Sequence, residues 1–328
     1  MEYFRLPGVS SLTSRLTFGC EQLGGTDWGT FDLEETFRAV QSALDLGINC
    51  FDTADVYGLG LSETHLKRAL GSKRHDQTII TKFGVRWDHV DGEARARTYL
   101  DASPSYLRKA CEKSLSRLGI DVIPIYLLHW PDPNTPIEKT AEELIRLRDE
   151  GKVRHIGLSN PTIEQLNQLK KLSLPDVVQV RYSLIDTEVE ANILPFCSEH
   201  KIPVFSYGSL AQGLLSGKYS PGKPIKFELN DRRSRLPHFQ NFQCNTAVQN
   251  LLEVVTSISA SEERTVAQVA LGWVLANPAV SSIIVGIKNP NQILETASSM
   301  NHSLKPSSLK ILELHASRKK ADEKSQNE

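Results

Sequence analysis

Eight short apolar runs, rich in β-branched side chains, are strung along this chain with room for a helix between most of them. They read RLTFG (15–19), INCFD (48–52), TIITKF (78–83), VIPIYLLH (122–129), VRHIGLSN (153–160), VVQV (177–180), IPVFSY (202–207) and SSIIVG (281–286). Their apolarity is continuous rather than alternating. That pattern marks strands covered on both faces, as in parallel sheets sheathed by helices. The stretches between them carry apolar residues at helical spacing: Leu33, Phe37, Val40 and Leu44 in one, Ile163, Leu166 and Leu169 in another. Leu144, Ile145 and Leu147 precede RDEGK, which predicts a helix stop at Gly151. The segment SPSYLRKACEKSLSRLG (103–119) opens on a capping Ser and a Pro and closes on Gly, as a helix should.

Eight strands, most followed by a helix, predict an α/β chain folded as a (β/α)8 TIM barrel. A doubly wound sheet is the alternative. Against it, no GxGxxG follows the first strand and no second domain of distinct composition appears. One connection breaks the rhythm: about 70 residues separate the seventh and eighth runs, long for a compact domain. Its polar part, 217–243, carries the basic cluster Arg232, Arg233 and Arg235, and two further helices are expected near 244–259 and 264–276. Residues 1–318 are read as one barrel domain, and 319–328 as a charged, disordered tail.

The bulk numbers exclude several functions. Hydrophobic residues make up 40% and charged residues 23% of the 328, ordinary for a globular chain that buries a sizeable core. A net charge of −1 offers no global field for nucleic acid or an anionic membrane. The longest apolar strand run is too short to span a bilayer as a helix. The opening MEYFRLPGVSS has no basic segment followed by an apolar one, so no secretory leader is expected. Five scattered cysteines without a CxxC pair argue against a disulfide framework or zinc site. A soluble, cytoplasmic protein without a metal is expected. Oligomeric state is not legible.

In barrels of this kind, the C-terminal ends of the strands face the active site. Polar side chains collect there: Asp52, Lys82, His129, Ser159, Asn160, Gln179 and Tyr207. Taken singly, each has a plainer role as a cap, a solvated charge or a structural histidine. Brought to one rim, they make a coherent set. A phenol near its ordinary pKa of about 10 is a poor proton donor at neutral pH, and a neighbouring ammonium lowers that value. The shift required corresponds to about 3 to 4 kcal/mol of differential interaction. Lys82 is the candidate cation, and an aspartate beside it would hold it charged and oriented. His129 is placed to hydrogen-bond a carbonyl. Such a set polarises and protonates a carbonyl oxygen but contains no obvious nucleophile, so a hydride-carrying cofactor is implied.

FDTADVYG (51–58), TK (81–82), YLLHWPDP (126–133), GLSN (157–160) and the segment from Tyr207 through GSLAQGLLSGKY resemble the aldo-keto reductase superfamily, over residues 15 to about 300. The resemblance implies a (β/α)8 barrel and reversible carbonyl reduction with a nicotinamide cofactor, NADPH (NADP+) in preference to NADH. It places the family's catalytic tetrad on Asp52, Tyr57, Lys82 and His129, with Tyr57 as general acid in reduction and base in oxidation. It assigns Ser159, Asn160 and Gln179 to the nicotinamide carboxamide, and Tyr207 to stacking on the nicotinamide. Gly208, Ser209, Leu210, Gln212, Gly213, Leu215, Gly217 and Lys218 match the stretch that wraps the pyrophosphate. Gly286, Lys288, Gln292 and Glu295 match the adenosine end. Gly19, at the end of the first strand, joins the same set, and Arg232 with Arg233 is a clamp from the long loop. A cation near the ribose 2′ position favours a phosphate there.

Two positions depart from the family pattern. Thr296 stands where many relatives have Asn, and Tyr182–Ser183 where many have Tyr–Asn. Candidate substrate-lining residues are Glu21, Trp28, Val56, Trp87 and Trp130, which suit a sugar or another polyhydroxylated carbonyl compound as well as an aromatic aldehyde. The favoured function is reduction of an aldehyde or ketone. A sugar or polyol dehydrogenase running in the oxidative direction uses the same residues. A cofactor-binding regulatory subunit, like the potassium-channel β subunits that share the fold, is the non-enzymatic alternative.

Overall fold

The computed structural model describes residues 1–9, 11–30, 32–88, 96–220, 223–228, 230–240, 242–301 and 303–326. Eight parallel strands close into a barrel in strict chain order. They are β1 (Leu16–Gly19), β2 (Cys50–Asp52), β3 (Thr78–Phe83), β4 (Ile123–Leu128), β5 (Val153–Ser159), β6 (Val177–Arg181), β7 (Val204–Tyr207) and β8 (Val280–Gly286). Each of the eight apolar runs is a barrel strand. Closure is made by β8 pairing with β1, Gly286 opposite Gly19.

Both faces of these strands are apolar, but for different reasons. The outward residues pack beneath the helices in one large core cluster. The inward residues form a second, smaller cluster that includes Cys50, Ile80, Ile125, Leu127, Val177 and Phe205. Inward positions recur every second residue along a strand. Stepping by two from that cluster gives Cys50 then Asp52, Ile80 then Lys82, Leu127 then His129, Val177 then Gln179 then Arg181, and Phe205 then Tyr207. The column that is oil at one end of the barrel therefore becomes polar at the other. This change of chemistry along a single inward row builds the site.

The oily end is plugged by a hairpin the sequence reading did not anticipate, Tyr3–Arg5 paired with Leu12–Ser14. Leu6 joins the inner cluster, and Phe4 meets Phe205 edge to face at 5.7 Å. A second hairpin, Val85–Asp88 paired with Arg97–Leu100, rises from the end of β3. Helix signals were locally explicit. Ser103 caps Pro104–Leu118, its hydroxyl accepting from the Tyr106 N–H, and Gly119 ends that helix in the left-handed region. Thr162 with Gln165, and Thr265 with Gln268, form capping boxes on Ile163–Leu169 and Val266–Ala276.

The long connection after β7 contains kinked turns (Ala211–Ser216), a basic turn (Arg232–Arg235), the short helix Pro237–Gln240, and the helices Thr246–Ser261 and Val266–Ala276. It crosses back to the loop after β1, where Trp28 bridges to Asp231 and the Arg232 N–H donates to the Asp27 carbonyl at 2.9 Å. The last helix, Pro306–Gln326, runs into residues whose charge pattern marks a tail. Lys, Ala and Glu favour helix as readily as solvent, so charge alone does not locate a helix end. Among the described residues, no helix is long and apolar enough to cross a membrane.

Candidate active site

The polar ends of the strands open into a cavity of about 630 Å³. At its floor, the Lys82 ammonium donates to Asp52 Oδ1 at 2.7 Å and to the Thr53 carbonyl at 2.8 Å. The ammonium is wholly buried and the carboxylate nearly so. The other oxygen of Asp52 accepts from Gln179 Nε2 at 2.8 Å. Gln179, expected at the carboxamide, therefore also braces the aspartate. Tyr57 lies on the loop after β2. Its ring is 5.1 Å from Lys82 Nζ and meets the His129 ring edge to face at 5.6 Å. Four residues that lie between positions 52 and 129 of the sequence thus converge on one point.

Burial pushes the Tyr57 phenol well above its ordinary range, and the Glu21 and Asp52 carboxylates push the same way, with Arg232 opposing. Lys82, paired at close range with Asp52, is not among the main charges acting on the resting phenol. The phenol is therefore neutral and carries its proton. Burial holds His129 well below the usual imidazole range, with the Lys82 and Arg232 cations adding to it. The ring is neutral, and its buried Nδ1 has no partner within the protein.

One wall is ordered by a chain of side-chain bonds. The Tyr207 hydroxyl donates to Asn160 Oδ1 at 2.7 Å, and Asn160 Nδ2 donates to the His129 carbonyl at 3.2 Å and to Ser159 Oγ at 3.1 Å. Across the mouth, Arg232 pairs with Glu21. Trp28 lies under both Arg232 and Arg233, whose guanidinium carbons are 5.3 and 5.9 Å from its ring. Arg233 in turn is forked onto Asp231. Lys288 Nζ donates to the Trp28 carbonyl at 2.6 Å.

Most of the residues singled out from sequence line this cavity: Gly19, Glu21, Trp28, Asp52, Val56, Tyr57, His129, Trp130, Ser159, Asn160, Gln179, Tyr207, Gly208, Ser209, Leu210, Gln212, Gly213, Lys218, Arg232, Gly286, Lys288, Gln292 and Glu295. Lys82 sits behind the wall, fully buried. Three others do not line it either. Leu215 is fully buried in the main core, and Gly217 is a left-handed cap whose added Cβ would meet Val266. The kinks at Gln212 and Gly213 turn one side of the segment to the cavity and send Leu214 and Leu215 inward. Trp87 is paired with Thr98 in the hairpin, and the wall there is made by Val85 and Thr98. The chain after β3 leaves the rim as an antiparallel ribbon, which an isolated aromatic does not announce. Thr296 lines the cavity, whereas Tyr182 and Ser183 are buried, Ser183 binding Asp186.

Sequence reasoning missed Gln22 and Arg181, which also line the cavity. Arg181 carried the same signal as the rest, a polar residue closing an apolar strand. Gln22 packs so closely on Gly286 that a Cβ there would come within 2.5 Å of its amide.

The residues present fit a dinucleotide. Gly208 and Gly213 hold left-handed backbone that lets main chain approach a ligand. Lys218, Arg232, Arg233 and Lys288 supply cations along the same wall. Asn289 caps the helix Pro290–Ser298 just beyond, and helix N-termini favour anions.

The model of the Aldo/keto reductase family matches residues 15–316. The chain is 32% identical over 295 residues to the aldo-keto reductase YhdN of Bacillus subtilis (strain 168), covering 89% of this chain and 87% of that protein. It is 32% identical over 312 residues to the NADH-specific methylglyoxal reductase of Escherichia coli (strain K12), covering 90% and 93%. Among solved structures, it superposes on the glycerol dehydrogenase AKR11B4 from Gluconobacter oxydans with a TM-score of 0.87 at 32% identity, covering 96% of this chain and 95% of that one. A closed parallel barrel with this polar rim, matched by that family over nearly its whole length, makes the chain a member of the aldo/keto reductase family and an NAD(P)H-dependent oxidoreductase.

Proposed function

We propose that the protein reduces a small aldehyde or ketone to the alcohol, with NADPH as the preferred cofactor and Tyr57 as the general acid. The observation that carries this reading is the convergence at the cavity floor of a neutral phenol, a neutral imidazole and a buried ammonium–carboxylate pair.

A bound nicotinamide would supply a hydride for the carbonyl carbon. Tyr57 delivers a proton to the carbonyl oxygen, for which it must first carry one, and burial keeps it protonated. As that proton leaves, negative charge develops on the phenol oxygen, and the Lys82 ammonium is the nearby cation that stabilises it. Asp52 keeps Lys82 in place, so the site needs no rearrangement as charge develops. His129, neutral, has a ring nitrogen available to orient the carbonyl by hydrogen bonding.

Lys288 with Arg233 and Lys218 favours a 2′-phosphate on the cofactor, which supports NADPH. The NADH-specific reductase among the relatives is the contrary precedent. Trp28, Trp130 and the Glu21–Arg232 pair supply aromatic faces and charged hydrogen-bonding groups at the mouth, as a small hydroxylated carbonyl compound would require. The glycerol dehydrogenase likeness supports such substrates and the reverse, oxidative direction. Fluorescence titration with NADPH and NADH, followed by a panel of aldehydes, ketones and polyols monitored at the absorbance of the reduced cofactor, tests the reading. Absence of turnover in both directions with either cofactor overturns it.

A further inference from the structure

We propose that Arg181 sets the balance between the oxidised and reduced forms of the nicotinamide cofactor, by holding an incompletely neutralised cation against the ring of Tyr207. The inference rests on the reading above that Tyr207 is the platform on which the nicotinamide stacks.

Arg181 and Tyr207 are register partners at the C-terminal ends of adjacent parallel strands. Both line the cavity. The guanidinium carbon lies over the Tyr207 ring, 5.9 Å from its centroid. Arg181 also interacts with the Tyr207 hydroxyl, so the cation lies toward the hydroxyl end of the ring. The ring is not free to swing away, because its hydroxyl is tied to Asn160, and Asn160 is tied to the His129 carbonyl.

A carboxylate lies near enough to matter, but it is committed elsewhere. Asp186 Oδ1 accepts from His238 Nε2 at 2.9 Å, and Oδ2 accepts from Ser183 Oγ at 2.9 Å. Arg181 Nη1 stands 4.0 Å from Oδ1, at the outer limit of an ion pair. The cation is therefore only partly offset. Contrast Lys82, which is paired with its aspartate at 2.7 Å.

The consequence follows from charge alone. An oxidised nicotinamide ring carries a positive charge and a reduced one does not, while the rest of the dinucleotide is the same in both. A cation beside the platform raises the free energy of the oxidised complex and leaves the reduced complex nearly untouched. Unit charges about 10 Å apart at an effective dielectric of about 20 alter a binding constant by at most roughly fifteenfold. Partial neutralisation by Asp186 and solvent screening leave an effect of about three- to tenfold. Arg181 thus biases the protein toward holding reduced cofactor and releasing the oxidised form, which suits carbonyl reduction.

The test titrates wild type, Arg181→Lys, Arg181→Gln and Arg181→Glu with NADP+ and with NADPH separately, followed by quenching of protein tryptophan fluorescence; Trp28 and Trp130 line the cavity. The Arg181 side chain is 42% exposed, so these variants leave the packed core intact. The readout is the ratio of the two dissociation constants, Kd(NADP+) over Kd(NADPH), in which the contribution of the phosphates cancels. The ratio is expected to fall about three- to tenfold in the Gln variant, to fall further in the Glu variant, and to stay at the wild-type value in the Lys variant. If both forms bind but the ratio is the same in all four proteins, or if both forms weaken equally, the inference is overturned and the assignment of Tyr57 is untouched. If wild type binds neither form, the reading of the site as a cofactor site fails, and this inference fails with it.

Discussion

Lys82 and Asp52 form a 2.7 Å ion pair in which the ammonium is wholly removed from solvent. They come from β3 and β2, neighbours in the barrel, and Asp52 is opposite Ile80, one inward step below Lys82. The pair exists because the inward rows of adjacent strands turn polar within one step of each other. Breaking a buried pair from one side strands a charge, at a cost of about 3 to 5 kcal/mol. Asp52→Asn and Lys82→Met are each expected to lose about that much stability in urea denaturation, and the double variant less than the sum of the two. Additive losses would mean that the two residues do not depend on each other.

Tyr57→Phe removes one oxygen and keeps the ring against His129 and Lys82. Turnover is expected to fall by at least about a hundredfold, the usual contribution of a positioned general acid. Binding of NADPH should change less than about threefold, since the ring remains. A variant that keeps wild-type kcat would remove Tyr57 from the chemistry.

These residues were legible because a polar side chain interrupts an otherwise apolar inward row, and that contrast survives in sequence. Asp52, Lys82 and His129 each stand two positions after a residue that turned out to be inner core. The two hairpins left no such trace. Their strands are three and four residues long and half exposed, so they lack the continuous apolarity that marked the barrel. Trp87 was misplaced for that reason. Leu215 was misplaced because its neighbours on both sides reach the cavity, and only the positive φ at Gln212 and Gly213 reveals that the chain doubles back there.

Part of the pH dependence of stability follows from His129. Burial, with Lys82 and Arg232, holds its folded pKa below the unfolded value of about 6.5. Below about 6.5 the unfolded chain binds a proton that the folded chain resists, so this part of the stability is complete above that pH and declines as pH falls. His129 contributes a fall in the urea midpoint between pH 7 and pH 5, which the raised pKa values of buried Asp55 and Glu21 partly offset, and His129→Gln should remove that contribution. A further contribution of the same sign should remain, because burial lowers His155 in the same direction. An identical slope in the variant would show that His129 protonates freely in the folded state.

Lys288 reaches the Trp28 carbonyl at the far end of the cavity, beside Arg233. If it reads a 2′-phosphate, Lys288→Ala should weaken NADPH by about tenfold or more and NADH by much less, the difference expected of one charge-assisted contact. Equal losses for the two cofactors would assign Lys288 to holding the Trp28 loop instead.

Tyr57 is followed by Gly58 for a reason that lies outside the tetrad. Gly58 has φ of +58°, and a Cβ added there would lie 2.1 Å from the Gly24 carbonyl oxygen and 2.5 Å from the Gly24 Cα. The contact is backbone on backbone, between the loop after β1 and the loop that carries the phenol, so no side chain can move aside to relieve it. Gly58→Ala must also hold a left-handed conformation that costs an L-residue about 1 kcal/mol. Together these should lower stability by roughly 2 to 4 kcal/mol in chemical denaturation. They should also lower kcat, because the loop can relieve the clash only by shifting Tyr57. Gly24→Ala supplies the control, since its Cβ would meet Gly58 N at 2.7 Å with no positive φ to strain. It should lose less stability than Gly58→Ala while showing a similar fall in kcat. If Gly58→Ala instead matches wild type within about 0.5 kcal/mol, the two loops are not in the close contact that sets the position of the phenol.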